Sequence, residues 1–290
     1  MDTVEATELT ARLRAAGCVR AEDEARLLLQ VALPPDAREH LVRRRLQGEP
    51  LEHVLGWAEF HGLRVRTTPG VFVPRWRSEF LVDQALAWLD GRSTAPGRTL
   101  PTRRSQNWAI RNWAIRRRPV GGPGPIVLDL CCGTGALALA VATARPDARI
   151  HAVDLDPAAV RCARDNLAEV GGHAYLGDLF DPLPENLRGR TDLILANAPY
   201  VPTRELALLP REARLHEAPL ALDGGPDGLE VVRRILAQVS DWLAPHGTLL
   251  IETSRDQAPY VAADLADRGL RTRISHDPEA EATVTEGTHA

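Results

Sequence analysis

The sequence predicts a doubly wound α/β fold, a mostly parallel seven-stranded sheet flanked by helices, joined to a small helical N-terminal domain. Three observations predict it. Ile126-Val127-Leu128-Asp129-Leu130 is apolar at four of its five positions, as a strand buried on both faces requires. It runs into Cys131-Cys132-Gly133-Thr134-Gly135 and then an Ala/Leu/Val helix over 136–144, the strand, glycine turn and helix that open a nucleotide-binding unit. Beyond it, strand-like and helix-like stretches alternate to the end of the chain, and sheets built that way take ligands at the carboxyl ends of their strands.

In chain order, 5–16 carries Leu9, Leu13 and Ala16 at helical spacing and stops at Gly17. A second helix spans 21–33, ended by Pro34-Pro35, and a third spans 36–46, ended by Gly48 and Pro50. These make residues 1–50 a separate bundle, either a partner-docking domain or a structural cap. Residues 51–73 are expected to link it to the main domain, with a β-hairpin turning at His61-Gly62. The main domain, 74–290, opens on Pro74-Arg75 and a helix over 78–89 with Ser78 as N-cap. An insertion at 91–125, rich in Gly, Pro, Arg and Ser, holds a perfect tandem repeat of Asn-Trp-Ala-Ile-Arg at 107–111 and 112–116. It reads as a recent duplication in a flexible loop; the sharper alternative is a basic, aromatic nucleic-acid contact. Strands are then expected near 150–153, 175–176, 192–196 and 247–252, a helix from Pro157 to about Val170, an amphipathic helix over 228–244 and a hairpin within 270–285.

Spacing narrows the ligand. A dinucleotide site uses three glycines to carry a pyrophosphate over the helix start. Asp129-x-x-x-Gly133-Thr134-Gly135 has no third glycine where that turn needs one. A short glycine turn led by an acid suits a ligand with a ribose and a cationic tail but no phosphate, and S-adenosylmethionine (SAM) is such a ligand. Asp154, about nineteen residues past Gly135, is placed to accept both ribose hydroxyls. The competing account is a nucleotide-free α/β turn with a capping Asp.

Asn197-Ala198-Pro199-Tyr200 follows the 192–196 strand at the same sheet edge. Methyl transfer from a sulfonium is an in-line displacement, and a planar amide or aromatic amine has its lone pair delocalised. A site must hold both N–H groups of such an acceptor. The Asn197 side-chain oxygen and the Ala198 carbonyl supply two acceptors, Pro199 fixes the backbone, and Tyr200 offers a flat face. No strong base is required, since the proton leaves after the methyl arrives.

On these motifs the chain resembles the HemK-type protein-glutamine methyltransferases, which methylate the glutamine of the Gly-Gly-Gln loop of peptide release factors. The resemblance takes in the helical N-terminus, Pro69-Gly70-Val71-Phe72-Val73-Pro74-Arg75 with Glu79, and the 129–135 turn. It continues through Asp154-Leu155-Asp156-Pro157, Gly177-Asp178-Leu179-Phe180-Asp181, Asn197–Tyr200 and the family-specific 217–229 segment. It implies the class I SAM methyltransferase fold. Asp129, Cys131, Gly133, Thr134, Gly135, Asp154 and Leu155 would hold the methionine and ribose ends of SAM, with Asp178 and Leu179 by the adenine. Asn197 to Tyr200 would hold the substrate amide at the catalytic centre, with Asn197 also beside SAM, and Arg75 and Glu79 would border the cleft. Ala198 stands where the family usually has proline, and Trp76-Arg77-Ser78 where it usually has Pro-Asp-Thr.

The chain has 290 residues, 44% hydrophobic and 26% charged, with net charge −4, so nothing global demands nucleic acid or an anionic membrane. All 35 basic residues are arginine. The four cysteines show no CxxC spacing, which argues against a disulfide framework or metal site. No run of membrane length or signal peptide is expected, which points to the cytoplasm, and the resemblance implies a protein substrate. The same motif chemistry leaves two alternatives, a nucleic-acid exocyclic-amine methyltransferase and a catalytically silent SAM-binding protein.

Overall fold

The computed structural model describes residues 3–91 and 124–289. The tandem repeat lies outside the described residues.

The N-terminal helices are α1 (Thr3–Ala15), α2 (Ala21–Gln30) and α3 (Pro35–Leu46). Leu9, Leu13, Ala25, Leu28 and Val42 close a small core between them. α3 begins one residue before the expected start, with Pro35 at the first helical position, where its fixed φ and missing N–H cost nothing. The expected linker does not begin at 51. Leu51–Leu55 form a fourth short helix, α4, whose Leu51 and Val54 join the same core. The hairpin follows as predicted: β1 (Trp57–Phe60) and β2 (Leu63–Arg66) turn at His61 and Gly62, with φ of 49° and 75°. Two consecutive positive φ values match a two-residue turn to the twist of its strands.

α5 (Glu79–Leu89) enters from a single 3₁₀ turn over Trp76–Ser78. That turn gives Ser78 helical backbone angles and no side-chain cap bond, so the expected N-cap role is not the one it plays. The main sheet then alternates β3 (Ile126–Leu130), α6 (Ala136–Ala144), β4 (Arg149–Asp154), α7 (Pro157–Leu167), β5 (His173–Leu176) and β6 (Thr191–Ala196). α8 (Arg211–His216), α9 (Glu230–Trp242), β7 (Leu243–Thr253), α10 (Ala258–Asp267), β8 (Arg271–Asp277) and β9 (Ala282–Thr288) complete it. β7 starts at Leu243, earlier than the predicted 247, because Leu243 pairs with Thr191 across a bulge.

The strand order is β5-β4-β3-β6-β7-β9-β8, parallel except that β9 runs antiparallel to β7 and β8. This is the doubly wound, mostly parallel seven-stranded sheet that the sequence predicts. One face is covered by α5, α6 and α7 around Leu81, Val141 and Leu167, the other by α9 and α10 around Ile235, Val239 and Leu265. Phe180 stacks on Trp242 in the second layer, with centroids 5.4 Å apart.

Register places the site. Leu130 lies opposite Val153 on one side and Ala196 on the other, so β3, β4 and β6 end together. Cys131, Asp154 and Asn197 therefore emerge side by side at one sheet edge. Among the described residues no helix is long and apolar enough to cross a membrane, and no group of three or more His, Cys, Asp or Glu is arranged to hold a metal.

Candidate active site

The turn after β3 is made of left-handed backbone. Cys131, Gly133 and Gly135 have φ of 56°, 54° and 74°. A side chain at such a position costs about 1–2 kcal/mol, so Cys131 carries strain where a glycine would carry none. The Gly133 N–H donates to Asp154 Oδ2 at 2.8 Å, and Asp154 Oδ1 accepts from the Asp156 N–H at 2.9 Å. Each carboxylate oxygen thus keeps a lone pair for a further donor. Burial raises the Asp154 pKa, against the pull of those two N–H groups.

Asp129 reaches under the turn, its Oδ2 accepting from the Ala138 N–H at 3.1 Å. Its Oδ1 is buried with no partner among the described residues. Burial pushes this carboxyl up to about 7, opposed by the Ala138 N–H and reinforced by nearby Asp154. The cavity-lining Asp154 carboxylate, beside the open Gly133 backbone, fits a ligand with ribose hydroxyls, and Asp129 braces the turn from beneath. Burial also pushes both adjacent thiols, Cys131 and Cys132, well up, so they serve as small packing groups and not as nucleophiles.

At the other end, Asn197 Nδ2 donates to Ser78 Oγ at 3.1 Å. Arg77 Nη2 donates to the Tyr200 hydroxyl at 2.5 Å, and its Nε lies 3.4 Å from Glu252 Oε1. Glu252 is buried at the end of β7. Burial pushes Tyr200 up to about 12, so its phenol stays protonated at neutral pH.

The 217–229 segment explains itself structurally. The Val201 N–H donates to the Leu222 carbonyl, and the Gly224 N–H donates to the Val201 carbonyl. Gln257 Nε2 donates to the Tyr200 carbonyl at 2.9 Å. Gly228, at φ 77°, is pressed so close that a Cβ there would lie 2.2 Å from the Tyr200 carbonyl oxygen. The glycine-rich loop is the bed on which the acceptor motif lies.

Both ends open into one cavity of about 410 Å³, within the usual range for small-molecule sites. Cys131, Gly133, Thr134, Asp154, Leu155, Asp178 and Leu179 line one part of it. Arg75, Arg77, Ser78 and Asn197 to Tyr200 line another. Gly133 and Tyr200 thus share one chamber.

Three expected residues stand elsewhere. Asp129 lies beneath the turn and does not line the cavity. Gly135 is there for packing, since a Cβ would sit 3.2 Å from Ala163 Cβ where α7 crosses the start of α6. Glu79 does not border the cleft, and its Oε1 accepts from the His61 N–H at 3.0 Å, tying α5 to the hairpin. Arg75 does face the cavity, and both Glu217 oxygens accept from its Nη2, at 2.6 and 2.7 Å. That makes it a neutralised wall. Asp178, also on the cavity wall, is paired with Arg234.

Sequence reasoning missed Ser78, Arg77, Glu252 and Gln257 as groups around the acceptor motif. Only the unusual Trp76-Arg77-Ser78 triplet carried a signal.

Residues 123–226 match the family described as "Methyltransferase small domain". The chain is 35% identical over 277 residues to a 4-amino-L-phenylalanine/4-methylamino-L-phenylalanine methyltransferase of Streptomyces pristinaespiralis, covering 95% of the chain and 85% of that protein. It is 36% identical over 261 residues to a release factor glutamine methyltransferase of Mycolicibacterium smegmatis, covering 84% and 81%. A release factor glutamine methyltransferase of Deinococcus radiodurans is 34% identical over 289 residues, covering 93% and 92%.

Proposed function

The chain belongs to the HemK-type protein-(glutamine-N5) methyltransferase family, and from that premise we propose that it methylates the glutamine side-chain amide in the Gly-Gly-Gln loop of a peptide release factor, using SAM. The observation that carries this is the single cavity joining the Gly133 turn and Asp154 to Asn197-Ala198-Pro199-Tyr200.

SAM, when bound, supplies a methyl group on a cationic sulfur. Gly133, Thr134, Asp154 and Leu155 would hold its ribose and methionine ends, and Asp178 and Leu179 its adenine. Asn197 Oδ1 and the Ala198 carbonyl would accept the two amide N–H groups, orienting the nitrogen for an in-line approach. Tyr200, neutral and pinned by Arg77, would pack its ring on the amide plane. No side chain need act as a strong base, because the nitrogen becomes acidic once it carries the methyl. Replacing proline by Ala198 keeps the carbonyl, so this role survives the change. The four N-terminal helices would dock the protein substrate, and an enzyme acting on release factors works in the cytosol.

A second acceptor, the ring amine of a free amino acid, is favoured by one observation. Arg77 puts a cation in the cavity where the family usually has an acid, and a cation there suits a substrate carboxylate.

The test offers methyl-labelled SAM with a bacterial release factor and, separately, with 4-amino-L-phenylalanine. Label on the Gly-Gly-Gln glutamine, located by peptide mass spectrometry, is the expected result. Label on the small amine alone moves the assignment to the second acceptor. Label on neither, with SAM bound, removes both.

A further inference from the structure

The turn that departs from the family pattern contacts both working side chains of the acceptor motif. Ser78 Oγ accepts from Asn197 Nδ2 at 3.1 Å and caps nothing. An amide side chain has two unlike ends, an oxygen that accepts and an NH₂ that donates. The acceptor nitrogen presents N–H groups, so only one of the two flips of Asn197 is productive; the other sets donor against donor. With Nδ2 committed to Ser78, Oδ1 is left for the acceptor. Behind Ser78 lies buried Glu252, which bears no donor while ionised; burial raises its pKa, and Ser78, Arg77 and Tyr200 beside it pull it down. One Glu252 oxygen has no partner among the described residues. A hydroxyl next to a carboxylate turns its proton toward it and its lone pairs outward, which is the polarity that Asn197 Nδ2 requires.

We propose that Ser78 is a positioning residue, its hydroxyl holding the Asn197 amide with Oδ1 toward the acceptor nitrogen and buried Glu252 setting the direction of that hydroxyl. This rests on the acceptor-binding role given above to Asn197, and it applies equally to an amide and an aromatic amine.

The test compares wild type, Ser78→Ala and Ser78→Thr. With SAM and whichever acceptor wild type methylates, Ser78→Ala is expected to lower kcat about tenfold or more. SAM affinity by calorimetry stays within about twofold, and Ser78→Thr, which keeps a hydroxyl, returns kcat to within about threefold of wild type. Full kcat in Ser78→Ala overturns the proposal, as does a Thr variant no better than Ala, since space and not the hydroxyl would then matter. A second readout needs no turnover. The side-chain NH₂ resonances of Asn197, assigned by their loss in Asn197→Asp, should shift in Ser78→Ala and return in Ser78→Thr. Unchanged resonances overturn the contact itself. If the resonances respond while wild type methylates neither acceptor, the substrate assignment fails and the positioning contact stands.

Discussion

Gly228→Ala separates the bed of the acceptor motif from the cofactor site. The new Cβ would lie 2.2 Å from the Tyr200 carbonyl oxygen and 2.5 Å from Gln257 Nε2. An ordinary contact is more than 3 Å, so the Tyr200 backbone must retreat by about 1 Å and its bond from Gln257 is lost. A displacement of that size at a reacting centre costs about 10²-fold in rate. The left-handed φ of 77° adds about 1–2 kcal/mol of backbone strain. Gly171→Ala is the control. Its φ is 69°, but nothing lies within 4 Å of the added Cβ. Both variants should therefore lose stability, by about 2–4 °C in Tm per kcal/mol. Only Gly228→Ala should lose turnover, about 10²-fold, with SAM affinity by calorimetry little changed. If Gly228→Ala keeps the kcat of Gly171→Ala, the loop does not position the motif. If it loses SAM binding in proportion to turnover, the two ends of the cavity are not separable.

Asn197→Ala should abolish methyl transfer and leave SAM binding within about twofold, since one side-chain acceptor is removed at the acceptor end; loss of SAM binding by calorimetry would contradict the acceptor role. Arg77→Met should destabilise by about 1–2 kcal/mol in chemical denaturation, between an exposed and a buried pair, because Glu252 is buried and Arg77 partly exposed. Arg77→Asp, which restores the family's usual acid beside buried Glu252, should be worse than Met; equal loss would mean the Glu252 charge is not felt. Asp129 predicts a pH effect in the ligand-free protein. Its folded pKa of about 7 lies above the ordinary value of 3.8, so the folded state resists ionisation. The cost is absent below about pH 4, grows as pH rises toward 7 and is full above it. Melting of Asp129→Asn should fall less than wild type over that window; parallel curves would refute the assignment.

The glycine turn, the second-strand acid and the acceptor motif were legible because each sits at the end of a mostly apolar strand, and the sheet register does the rest. α4 was not, since Leu51-Glu-His-Val-Leu55 is too short to show a helical period. Ser78 looked like a cap because serine before a helix usually is one; the 3₁₀ turn that frees its hydroxyl has no sequence signal. Asp129 and Gly135 read as cofactor contacts, but a pattern match does not tell a ligand contact from a brace beneath it, and neither lines the cavity. Arg77 with Glu252 and Arg75 with Glu217 pair residues far apart in the chain, which local patterns do not encode.

Arg45 is buried in the helical N-terminal unit, where Glu24 accepts from its Nε at 2.6 Å and from its Nη2 at 3.0 Å, and it reaches Glu212 at 2.7 Å. Glu212 is part of the cavity wall, on α8. The front bundle and the chamber wall therefore share one cation. A chain cut back to residue 74 would lose that tether, leaving Glu212 on the cavity wall without its buried cation.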